Sequence, residues 1–185
     1  MQAPGITRHR RPFLAPLWVS LLGAVLLAAV AWTLYRSAST TVVFLVQAAE
    51  KEPGTINDPP LSPEGEARAL RLAQMLGGSG ADARIDAIYE SDERRAEQTA
   101  APLVERAHRA PVVFARTEAP AVAARALREH AGGTLVIVAT GAVLVQMLRE
   151  LTGAAAPLAA ADETDVIYLV SVPRFGRTHL VRLRF

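Results

Sequence analysis

The chain has 185 residues, room for one domain plus an appendage, and 51% of them are hydrophobic. It contains no cysteine, which excludes disulfides, thiolate metal sites and cysteine nucleophiles. The net charge of +2 hides an asymmetry: Arg8, Arg10, Arg11 and Arg36 stand before Ser37 with no acid among them, leaving sixteen basic and eighteen acidic residues for the remainder. A slightly acidic domain with one lysine (Lys51) and few aromatics argues against a nucleic-acid partner.

Residues 1–12 read as a basic tail. Phe13 to Tyr35 then holds no charged residue. As a helix rising ~1.5 Å per residue, this run is long enough for a hydrocarbon core of about 30 Å. Trp18, Trp32 and Tyr35 lie near its ends, as interfacial aromatics do, and the arginines upstream of it favour a cytoplasmic N-terminus. The expectation is a single-pass anchor over 13–35 in a bacterial inner (cytoplasmic) membrane, a linker over 36–40, and a domain over 41–185 facing the periplasm or exterior. The competing reading is a signal peptide cleaved near Ala29-Val30-Ala31. The apolar run exceeds the 7–15 residues of a signal h-region, which favours an uncleaved anchor.

Thr41–Val46 is an unbroken β-branched and aromatic run, predicting a central strand buried on both faces. A loop follows from Glu52-Pro53-Gly54 to Pro59-Pro60. Ser62 and Pro63 set the N-cap and first position of a helix that Gly77-Gly78 ends. Ala87–Tyr89 predicts a second strand. Ser91 or Asp92 is the expected cap of a helix over Arg94–Ala107, bent at Pro102.

Val112–Phe114 predicts a third strand, Pro120–His130 a helix, Thr134–Val138 a buried strand and Val143–Leu151 a helix. The alanine-rich stretch 154–161 reads as a loop. Val166–Val172 and Leu180–Phe185 close the chain as two strands around a turn at Pro173–Arg177. Strands alternating with helices predict an α/β fold, a three-layer sandwich with a mainly parallel sheet and right-handed crossovers; the closing pair adds an antiparallel neighbour.

Several marks occur in order along this framework. They are Leu45-Val46 with Ala49-Glu50-Lys51, then Leu61-Ser62-Pro63-Glu64-Gly65, then Asp86 to Asp92, then Arg95-Ala96-Glu97-Gln98-Thr99-Ala100, and finally Gly132-Gly133 leading into Thr134–Val138. Together they resemble the histidine phosphatase superfamily, which has a phosphoglycerate-mutase-like fold. In that family a strand-end L-V-R-H-A-E-K carries a phosphate-binding arginine and a nucleophilic histidine, a helix carries R-A-x-Q-T-A, and a second histidine follows a later strand.

The resemblance implies a neutral imidazole attacking phosphorus, with two arginines and a second histidine meeting the phosphoryl charge and a carboxylic acid protonating the leaving oxygen. Carried onto this chain, the first arginine falls on Gln47, the nucleophile on Ala48 and the second histidine on Thr140, while the second arginine is kept as Arg95. Alanine forms no covalent intermediate, and removing a nucleophile costs roughly 10⁶ in kcat in a serine protease. Glu50 is matched within A-E-K and is the expected partner of Arg95.

No other residue offers itself as nucleophile. His9 stands before the anchor, His108 and His130 sit at helix ends, and His179 lies in the last hairpin; none forms the i,i+4 pair of a helical metal site. Ser62, Ser91 and Thr140 have no neighbouring base in sequence. The sequence therefore predicts no catalytic residue, no metal and no cofactor. It predicts a remnant pocket of Gln47, Ala48, Glu50, Arg95 and Thr140 in a membrane-anchored pseudoenzyme that serves as a binding or scaffolding module for an anionic small molecule or a protein. The alternatives are a phosphoric-ester hydrolase with a non-standard nucleophile, other chemistry in the same cleft, and a decaying product with no retained role.

Overall fold

A computed structural model describes residues 17–37, 40–54, 57–78, 84–153 and 164–185. The expected tail over 1–12 and the alanine-rich stretch 154–161 lie outside the described residues, as does part of the linker. The chain divides into two units, Met1–Ser37 and Ala38–Phe185.

In the first unit, helix α1 spans Leu17–Ser37. Its side chains from Val19 to Leu34 are exposed, Leu27 and Leu26 by 70% and 68%. Among the described residues, no helix is long and apolar enough to cross a membrane. The described side chains of α1, Val19 to Leu34, cover less than the ~20 residues that a span requires. Residues 13–16 of the expected run lie outside them.

The second unit is an α/β domain. Its elements are β1 (Thr40–Gln47), α2 (Pro63–Leu76), β2 (Ala87–Ser91), α3 (Arg94–Ala107), β3 (Val112–Phe114), α4 (Ala119–Glu129), β4 (Thr134–Ala139), α5 (Gly141–Thr152), β5 (Val166–Pro173) and β6 (His179–Arg184). They form one sheet in the order β3-β2-β4-β1-β5-β6. β3, β2, β4 and β1 run parallel, whereas β5 is antiparallel to β1 and β6 to β5. The sheet is thus mixed.

Alternation along the strands feeds two cores. Val43, Leu45, Tyr89 and Ile137 pack with Val122 and Ala126 of α4 and Leu144 and Leu148 of α5. Val46, Ile88, Val136 and Val138 pack with Leu72 of α2 and Ala96, Ala100 and Leu103 of α3. Helices therefore cover both faces, in three layers. β1 is central but not buried throughout: Val42 and Phe44 are half-buried, because α2 and α3 pack over the ladder at Val46, Ile88 and Val136.

Local chemistry fixes the helix ends. Ser62 Oγ accepts from the Gly65 N–H at 3.2 Å, Pro63 opens α2, Glu64 and Glu66 occupy its first turn, and the Gly77 N–H closes on the Ala73 carbonyl. The cap of α3 differs from the sequence expectation. Glu93, not Ser91 or Asp92, is the N-cap, and β2 continues through Ser91 because Ser91 pairs with Phe114 of β3. A turn of 3₁₀ helix over Arg116–Glu118 precedes α4.

Candidate functional site

The C-terminal ends of the parallel strands place the candidate residues together, as open α/β sheets do with their ligand crevices. Gln47 ends β1 opposite Ala139 of β4, and the Ala48 N–H donates to the Ala139 carbonyl at 2.9 Å. Thr140 follows Ala139 directly. Gln47 is 5% exposed, Ala48 is fully buried, and Thr140 is 9% exposed.

The segment after β1 is held by α3. Thr99 Oγ1 accepts from the Ala49 N–H at 3.0 Å and donates to the Arg95 carbonyl at 2.6 Å. Gln98 Oε1 accepts from the Leu61 N–H at 2.8 Å. The Gln-Thr pair of the R-A-x-Q-T-A element therefore staples the loop to the helix. Arg95 Nη1 reaches the Ala49 carbonyl at 3.4 Å, which puts its guanidinium beside the residue following Ala48.

Glu50 does not pair with Arg95 as the sequence suggested. Its carboxylate accepts from Arg68 Nε at 2.7 and 3.0 Å, lies 2.5 Å from Arg68 Nη2, and accepts from Thr164 Oγ1 at 2.7 Å. Arg68 sits on the face of α2 that packs against the loop, so it reaches Glu50 first. It also donates to the Phe185 backbone oxygen at 3.0 Å and lies over the Phe185 ring, 5.7 Å from its centroid. Burial alone raises the Glu50 carboxyl, but hydrogen bonds from Arg68 and Thr164, with the Arg68 charge, outweigh it and hold the group at about 2. Glu50 thus ties together the β1 loop, α2, the approach to β5 and the last residue.

Gly65 completes this packing. A Cβ on it would lie 2.5 Å from the Glu50 carbonyl oxygen, which itself accepts from the Ser62 N–H at 2.9 Å. The glycine of Leu61-Ser62-Pro63-Glu64-Gly65 is required by this close backbone approach.

Sequence reasoning missed two acids in the cleft. Thr140 Oγ1 donates to Glu93 and is 2.8 Å from each carboxylate oxygen. Ser91 Oγ donates to Glu93 Oε2 at 2.7 Å, and Arg116 Nη1 lies 3.6 Å from Glu93 Oε1. Asp58, in the left-handed conformation at φ 62°, accepts from the Arg94 N–H at 2.9 and 3.2 Å. The N-terminus of α3, a natural anion site, is thus occupied by the protein's own carboxylates. A glutamate at position 93 looks generic in sequence; a left-handed Asp58 in a Pro-rich loop offered a faint turn signal.

Next to this cluster, Glu90 of β2 is 4% exposed. Burial, with a smaller effect from Glu97, pushes its carboxyl up to about 7. The histidines lie elsewhere. His108 is exposed at the left-handed cap of α3, His130 caps α4 with its ring edge-on to Tyr89 at 6.2 Å, and His179 is exposed in β6. Among the described residues, no group of three His, Cys, Asp or Glu side chains is arranged to hold a metal ion.

Residues 40–118 match the family model of the histidine phosphatase superfamily (branch 1). Among solved structures, the domain is similar to the protein histidine phosphatase SixA complexed with tungstate, with a TM-score of 0.63 and 17% identity over 77% of this chain and 96% of that one. It is also similar to a mycobacterial glucosyl-3-phosphoglycerate phosphatase, at 0.58 and 16% over 76% and 97%. A putative phosphohistidine phosphatase SixA from Agrobacterium tumefaciens aligns at 0.55 and 20% over 78% and 98%. Among curated protein sequences, no relative matches.

Proposed function

We propose that this chain, whose residues 40–118 match the histidine phosphatase superfamily, is a membrane-anchored pseudoenzyme, a binding or scaffolding module without phosphatase activity. The observation that carries the reading is the Thr140–Glu93 contact. By resemblance, position 140 belongs to a histidine facing a phosphoryl group; here a threonine hydroxyl binds a carboxylate instead. A carboxylate at that spot repels a phosphate ester and occupies the donor that would receive it. Ala48, at the nucleophile's position, has no group to phosphorylate, and Gln47 carries no charge to replace an arginine.

The anchor reading is supported by the sequence run over 13–35 and by α1, whose exposed leucines and valines lie on every face; a helix apolar all round calls for a nonpolar surrounding. It places the domain outside the cytoplasm of a bacterial cell. A reporter fused after Phe185 is expected to be active only outside the cytoplasm; a processed protein starting near Trp32 would replace the anchor with a signal peptide.

The full chain in detergent is expected neither to hydrolyse aryl phosphates nor to bind tungstate, the anion held by the SixA structure. Turnover, or an acid-labile phosphoenzyme, would overturn the pseudoenzyme reading.

A further inference from the structure

The end of the sheet opposite the Thr140–Glu93 cleft has its own character. Thr40, at the start of β1, pairs with Pro173, at the end of β5. The β5–β6 hairpin therefore turns at the same end of the domain at which the chain enters from α1, with only residues 38 and 39 between Ser37 and Thr40. The hairpin tip reads Arg174-Phe175-Gly176-Arg177. All four residues are exposed, and Phe175 is 76% exposed, the highest value of any large apolar residue among the described residues of the domain. Gly176, at φ 120°, makes the turn, and Thr178 Oγ1 ties the hairpin's base to the Leu151 carbonyl at 3.4 Å.

Beside the tip lies a groove of about 410 Å³ between α4 and β5, with Leu127, Val172 and Pro173 as its apolar wall and Arg128 and Arg174 at its rim. Arg128, Arg174 and Arg177 have no ion-pair partner among the described residues. An aromatic ring held out in water between unpaired arginines is costly in solution and suited to a lipid interface, where the ring enters the headgroup layer and guanidinium groups meet phosphate.

We propose that this end of the domain is a membrane-surface contact, in which Phe175 inserts among anionic phospholipid headgroups while Arg128, Arg174 and Arg177 hold lipid phosphates. The inference rests on the anchor reading and adds to it an orientation. β1 runs from this end to the cleft over eight residues at ~3.3 Å each, so docking holds the cleft about 25 Å farther from the bilayer and facing bulk water.

The chain's lack of cysteine makes a single label unambiguous. Full-length Phe175→Cys, carrying an environment-sensitive fluorophore, is reconstituted into vesicles of phosphatidylcholine alone or mixed with phosphatidylglycerol. Lys51→Cys, exposed in the loop beyond the cleft end of β1, is the control. Acrylamide quenching at position 175 is expected to fall in the anionic vesicles and to recover when salt screens the arginines, while position 51 stays equally quenched throughout. Each of Arg128→Gln, Arg174→Gln and Arg177→Gln is expected to lower the ratio of docked to undocked domain about five-fold. If the chain stays in carbonate-washed vesicles but position 175 is quenched alike in both lipids, the contact is wrong and the anchor stands. If carbonate strips the chain from the vesicles, the anchor fails and the contact falls with it.

Discussion

The Thr140 hydroxyl donates its hydrogen bond to the Glu93 carboxylate, across 47 positions of sequence and between the ends of two different strands. That contact places a carboxylate beside the N-terminus of α3, where the helix dipole and free N–H groups would otherwise attract an oxyanion. Asp58 takes the Arg94 N–H at the same helix end. Two of the protein's own carboxylates, Glu93 and Asp58, thus stand at this end of α3. Arg95, which follows Arg94 in α3, reaches the Ala49 carbonyl at 3.4 Å.

The first prediction follows from that charge. Glu93→Gln preserves a side chain able to accept from Thr140 and removes the repulsion. Hydrogen bonds to charged groups are worth about 1.5–3 kcal/mol, so tungstate affinity is expected to rise by at least ~10-fold in this variant. Adding Arg95→Ala is expected to cancel the gain. Equilibrium dialysis of the full chain in detergent reads both. Equal affinity in the parent and the Glu93→Gln variant would show that Glu93 does not guard the cleft.

Glu50 carries a second prediction, one of acid stability. Its folded-state carboxyl lies near 2 against an ordinary 4.5. A depressed carboxyl contributes stability that is present above the unfolded value and lost as pH falls, so this contribution should fade between pH 4.5 and 2. The shift corresponds to about 3 kcal/mol, nearer 2 once solvent screening of a side chain 24% exposed is counted. Glu50→Gln is expected to lower stability by that amount at pH 7 and by little at pH 2. Urea unfolding at the two pH values makes the comparison.

Most of the frame was legible in the sequence. The ends of α2, the span of α3 and the six strands follow from breakers, caps and apolar runs, because those signals are local. What escaped is what the fold joins across long separations. Glu50 and Arg68 lie eighteen positions apart on elements whose facing sides only packing decides, so an Arg95 partner looked reasonable from loop spacing alone. Glu93 was invisible for the same reason, and Asp58 gave only a faint turn signal: an acid gains meaning only from the group it faces. The order of Gln47, Ala48, Arg95 and Thr140 along the chain was readable; the carboxylate among them was not.

A third prediction tests the packing at the start of α2. Gly65→Ala would put a Cβ 2.5 Å from the Glu50 carbonyl oxygen, a backbone atom unable to yield without moving the loop. Overpacking of this kind costs about 1–3 kcal/mol. Gly54→Ala, where a Cβ meets nothing within 4 Å, is the control and is expected to change stability by less than ~0.5 kcal/mol. Equal losses from the two changes would remove the argument for a required close approach.

The fourth prediction has the opposite sign to that for Glu50. Glu90 is 4% exposed, and burial, aided by Glu97, lifts its folded-state carboxyl from 4.5 to about 7. A raised carboxyl means that the folded state holds a proton the unfolded chain has already released. Stability from this group is therefore complete below pH 4.5 and falls as pH rises to 7, by an amount on the order of 3 kcal/mol. With Glu50 failing below 4.5 and Glu90 above it, these two groups together favour maximum stability near pH 4.5. Glu90→Gln carries no ionisation and is expected to remove the loss above pH 4.5, leaving the variant about 2–3 kcal/mol more stable than the parent at pH 8 and nearly equal to it at pH 4. Glu97→Gln should reproduce only a small part of the gain, since Glu97 is the lesser cause. Urea midpoints across pH 4–8 decide the matter: parallel curves for the parent and Glu90→Gln would mean that the buried carboxyl does not set this pH dependence.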